Sequence, residues 1–86
     1  MKKRIFNITW ASKKDIDLVR TSRVEIPNAS SEIGIAAKSA LQIFSVNYGS
    51  LAKVEIFKIQ EIDSNGNPIG EPITPEENSS IVPSKR

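Results

Sequence analysis

The sequence predicts a single small α+β domain: a mostly antiparallel sheet, in the order β-β-α-β-β, with one amphipathic helix on one face. Three observations carry that prediction. Residues 4–11 alternate between apolar and polar, residues 33–48 repeat apolar side chains at helical spacing, and Asp63-Ser64-Asn65-Gly66-Asn67-Pro68 places a strong turn signal between two apolar runs.

In the first segment Phe6, Ile8 and Trp10 share one parity and Asn7 and Thr9 the other, the pattern of a half-buried strand. Ser12-Lys13-Lys14-Asp15 is polar and turn-like. Ile16, Leu18, Val24 and Ile26 then share a parity again, which reads as one long strand forming a hairpin with the first, bulged near Arg20–Arg23. Pro27 is expected to end it, because proline cannot donate to the ladder.

Asn28-Ala29-Ser30-Ser31-Glu32 has the small polar caps and first-turn acid of a helix start. Ile33, Ala36, Ala37, Ala40, Leu41, Phe44 and Tyr48 form its apolar stripe, and Gly49 is placed for a left-handed cap. The run from Leu51 to Ile62 reads as a third strand. Apolar groups on both parities (Val54 and Ile56 against Phe57 and Ile59) predict either a central position or a bulge near Ile56-Phe57. Ile69 to Ile73 returns as a short edge strand limited by Pro68 and Pro72. The domain is expected to span residues 1–73, with a flexible tail over 74–86. The helix joins strands two and three, and a right-handed crossover would make them a parallel pair.

Composition narrows the chemistry. The 86 residues include no cysteine and no histidine, so disulfides, thiolate–metal sites, the commonest zinc ligands and the commonest general base are all missing. No metal or cofactor is expected. The turn at Asp63 resembles a calcium loop only superficially, since Gly66 stands fourth and Thr74 twelfth where an EF-hand needs glycine sixth and glutamate twelfth. Neither glycine-rich phosphate motif occurs. Asp15 with Asp17, Glu76 with Glu77, and Lys38 with Ser39 all read as solvated or divergent side chains. The chain is accordingly expected not to be an enzyme. The basic start, Lys2-Lys3-Arg4, is followed by too few apolar residues for a signal peptide, and a cytoplasmic protein is expected. The Asn-x-Ser/Thr triplets at Asn7, Asn28 and Asn78 are then chance. The Ile-, Lys- and Asn-rich composition suits an AT-rich bacterium or its phage.

Charge supplies the one electrostatic lead. The net charge is +2, but residues 1–43 hold eight basic side chains against four acidic. Lys3, Arg4, Lys13, Lys14, Arg20 and Arg23 all fall on the first hairpin, and the expected function is nucleic-acid contact through them. Phe6 and Trp10 are expected in the core, so phosphates rather than bases would be touched. The alternative is a protein-interaction or inhibitory module, expected to be homodimeric. Ile35, Ile43 and Val46 lie off the main helix stripe and would form its interface.

Overall fold

The computed structural model describes residues 2–74. The tail expected from residue 74 onward lies, but for Thr74, outside them. The fold is α+β. Strand β1 (Lys2–Ser12), strand β2 (Asp15–Ala29), helix α1 (Ile33–Tyr48), a 3₁₀ turn (Leu51–Lys53) and strand β3 (Val54–Ile62) follow in that order. The sheet order is β2-β1-β3, both pairings antiparallel. Strands two and three run parallel to one another, as the helical crossover predicts, but they are not neighbours; β1 lies between them, and the crossover helix spans it.

Register follows the alternation. Phe6 opposes Val24 and Ile8 opposes Ser22 on one side of β1, while Ile8 opposes Ile59 on the other. These side chains face α1, which buries Ala36, Ala37, Ala40, Leu41 and Phe44 against them. The alanines let helix and sheet approach closely. Among the described residues Ser22 is the one buried polar residue on that face, and its hydroxyl accepts the Trp10 indole N–H at 2.9 Å. A buried donor without a partner would cost about 1–3 kcal/mol.

Three expectations about β2 and β3 need correction. Pro27 does not end β2: the strand continues to Ala29 through a register shift between Arg4↔Ile26 and Lys2↔Ala29. The proline is tolerated because β2 is an edge strand. No bulge occurs at Arg20–Arg23, where pairing is continuous. The irregularity lies earlier, between Trp10↔Arg20 and Ser12↔Asp15, so Ile16, Leu18 and Val19 bow out and are exposed. Third, Leu51–Lys53 is 3₁₀, its first turn held by the Ser50 hydroxyl accepting from Ala52 N–H.

The bulge expected near Ile56-Phe57 is present, on an edge strand and not a central one. Thr9 pairs with Lys58 and Trp10 with Ile56, so Phe57 is the extra residue. That insertion lets Ile56 and Ile59 both face the helix side, which strict alternation forbids. The return segment pairs with β3 through Ile59↔Ile73 and Ile62↔Pro68 as isolated bridges, with Gly70 at φ 69° between them.

Helix ends also differ from expectation. Glu32 is the N-cap itself and not a first-turn acid, and it makes no side-chain cap. The Ser30 hydroxyl accepts from its N–H at 3.0 Å. Gly49 takes φ 111° and ψ −178°, a region open essentially to glycine alone, in place of the left-handed helical cap.

The Asn-Gly turn is held by Asp63. Its Oδ1 accepts from the Asn65 and Asn67 N–H groups, each at 2.9 Å, and its carbonyl accepts from Gly66 N–H. These amides, Asn67 foremost, hold its carboxyl below the usual aspartate range. A carboxyl depressed on folding stabilises above its unfolded pKa, and that contribution is lost as pH falls through the folded value. Asp63→Ala should therefore flatten the acid limb of the stability–pH curve. Acid limbs that run parallel in mutant and wild type would refute the role.

Candidate functional site

The six basic residues of the hairpin do not converge. Arg4 shares parity with Phe6 and points to the helix side, where Nε and Nη2 donate to the Glu61 carboxylate at 2.9 and 3.0 Å and Nη1 donates to the Ser30 carbonyl at 2.8 Å. The Glu61 carboxylate raises the guanidinium pKa further. Arg4 is thus engaged in structure, joining β1, β3 and the β2–α1 connection.

Arg20 also lies on the helix side, its guanidinium carbon 5.5 Å from the Trp10 ring centre, a cation–π contact. Lys3 and Arg23 stand on the opposite, open face, and both reach Glu25, at 3.5 and 3.4 Å. Such exposed pairs contribute about 0–1 kcal/mol. Lys13 and Lys14 occupy the hairpin tip. The tip docks on the 3₁₀ turn, with Lys13 N–H donating to the Lys53 carbonyl at 3.0 Å. The basic hairpin is divided among three surfaces, and Phe6 and Trp10 are in the core.

Two cations were not singled out by the sequence. Lys53 joins the tip, and Lys58 lies on the open face opposite Thr9. The Phe57 bulge inverts the parity around Lys58, so alternation could not have placed it. The open face carries Asn7, Thr9, Thr21, Arg23, Lys58 and Gln60, with no aromatic group among the paired residues.

Helix α1 offers a different surface. Only Lys38 is charged among its 16 residues. Of the three residues expected at an interface, Ile35 and Val46 are 52% and 84% exposed, whereas Ile43 is half-buried and packs against the core. Ile35, Ser39, Gln42 and Val46 follow one another at spacings of four, three and four, which aligns them along one stripe of the helix. That stripe faces away from the sheet and carries no charge.

A cleft of about 970 Å³ opens at the other end of the sheet, lined by Lys3, Ile5, Ser31, Glu61, Ile62 and Ile69 among others. Its Arg4 and Glu61 neutralise one another, Lys3 reaches Glu25, and the Asp63 carboxylate at its rim is held by the Asn65 and Asn67 amides of its own turn. Among the described residues no cluster of three or more acidic, cysteine or histidine side chains is placed to hold a metal. Among them, too, no helix is long and apolar enough to cross a membrane. No protein-family model matches the chain, and comparison with curated proteins and with solved structures gives no significant match.

Proposed function

We propose that this chain is a cytoplasmic, non-enzymatic protein-interaction module that presents the outer face of α1 to a protein partner. One observation carries the reading: a solvent-facing helix stripe with Ile35 and Val46 exposed and no charge along it. Surface helices ordinarily place charged residues outward, and uncharged apolar stripes mark contact surfaces. The exposed Ile16, Leu18 and Val19 beside the hairpin tip are a separate set of uncovered apolar side chains.

Nucleic-acid contact is the second reading, supported by Lys13 and Lys14 at the exposed tip, unpaired among the described residues. The dispersal of the other four basic residues weighs against it. A duplex contact needs several cations along one backbone.

Two measurements test the proposal. Ile35→Lys/Val46→Lys should leave the stability within about 0.5 kcal/mol of wild type, because neither side chain supports the core. A loss above ~1 kcal/mol would assign the stripe to folding. Titration with duplex DNA at ~50 mM salt should show no binding. Binding with a log–log salt slope near −3, flattened by Lys13→Ala/Lys14→Ala, would transfer the function to nucleic acid.

A further inference from the structure

We infer that the partner on the α1 stripe is a second copy of this chain, docked antiparallel about a two-fold axis. This rests on the reading of that stripe as a protein contact. The spacing Ile35–Ser39–Gln42–Val46 reads the same in both directions. A two-fold axis crossing the helix between Ser39 and Gln42 therefore sets Ile35 against Val46 of the partner subunit. It sets Ser39 against Gln42 of the partner subunit.

The resulting layers are chemically matched. Two apolar pairs close the ends, and a hydroxyl meets a carboxamide in the middle, where each can donate and accept. The four–three–four spacing is that of a short coiled-coil seam, and antiparallel seams pair unlike positions in each layer. Ser39 is small, which permits close approach.

Charge favours the same arrangement. The four stripe residues hold no ion to desolvate, and Lys38, three residues after Ile35 and four before Gln42, borders the stripe on one side, where its long stem keeps the ammonium in water. Antiparallel packing sets the positive N-terminal end of each helix beside the negative C-terminal end of the other.

Area sets the strength. A 16-residue helix is ~24 Å long and ~10–12 Å wide, so the seam covers roughly 300 Å² on each copy. Stable interfaces bury about 800 Å² per partner. The pair should be weak and reversible, with a dissociation constant on the order of 100 µM.

The chain contains no cysteine, so single cysteines report the register cleanly. Ser39→Cys and Gln42→Cys proteins, mixed at ~0.3 mM and mildly oxidised, should form the mixed disulfide at least about tenfold faster than either forms a disulfide with itself. Lys58→Cys on the open sheet face should remain uncoupled. Sedimentation of the wild type should show a dimer growing in from ~50 µM upward, and Ile35→Lys/Val46→Lys should stay monomeric.

Equal coupling in all combinations, or faster like-with-like coupling, would overturn the antiparallel register. A monomer up to 1 mM would overturn self-association. In that event an unchanged stability of Ile35→Lys/Val46→Lys leaves the stripe as a contact for a different protein. A destabilised variant removes the contact reading and this inference together.

Discussion

Phe44→Ala is expected to lower the unfolding free energy by about 3–5 kcal/mol. Phe44 is fully buried at the centre of the helix–sheet interface. Its ring meets Trp10 edge-on, with centroids 5.2 Å apart and planes at 72°, and lies 5.0 Å from the Tyr48 ring. Truncation removes the apolar burial, leaves a void between two elements fixed by their own backbone bonds, and removes aromatic contacts of about 0.5–1.5 kcal/mol each. A domain of this length has about 4–13 kcal/mol in total, so the variant should unfold at much lower urea concentration. A loss under about 1.5 kcal/mol would mean that the aromatic cluster yields and refills the space.

The second large effect is expected at the Arg4–Glu61 pair. The two side chains are 18% and 12% exposed, and the guanidinium also satisfies the Ser30 carbonyl. Arg4→Ala would leave the Glu61 carboxylate mostly out of water with its bidentate partner gone. Fully buried pairs lose about 3–5 kcal/mol when one partner is removed, and the residual exposure here reduces that to about 2–3. Arg4→Lys should recover only part of the loss, since an ammonium cannot reproduce the planar fork. Arg4→Met/Glu61→Leu should stand closer to wild type than either single truncation. A double-mutant cycle measures the coupling, and additive single effects would show that the pair contributes nothing beyond its separate contacts.

How far the sequence disclosed this fold depends on whether each signal was local. The alternation at Phe6, Ile8 and Trp10, the stripe through Phe44 and the Asn-Gly turn are short-range patterns, and each element stands where they put it. The doubled parity at Ile56-Phe57 also carried real information, because a bulge leaves that trace. What was hidden is set by distant partners. Nothing near Arg4 announces Glu61, 57 positions away, so a residue read as available for phosphate is held in an internal pair. Ile16 and Leu18 have the parity of Val24 and Ile26, yet the irregular register beyond Trp10 breaks the alternation between them.

The same dispersal explains the candidate site. Charge counted along the chain made the first hairpin look basic. A strand sends alternate side chains to opposite faces, and a turn sends them to neither. Six cations on one hairpin therefore become three small groups. The helix stripe was legible only in part: Ile35 and Val46 are exposed as expected, while Ile43, a shoulder position on the helix circumference, goes to the core.

The strand order carries a consequence for how the chain is made. β1 is the first strand in sequence and the central one in space, and its second neighbour ends at Ile62. At translation rates of about 5–20 residues per second, roughly 3–10 s separate the emergence of Ser12 from that of Ile62. In that interval the hairpin with β2 can close, but the other edge of β1 has open backbone donors and acceptors, and Phe6, Ile8 and Trp10 await their helix. The nascent chain is most vulnerable to mispairing along its future midline, and a chaperone recognising extended apolar segments would find its best target there.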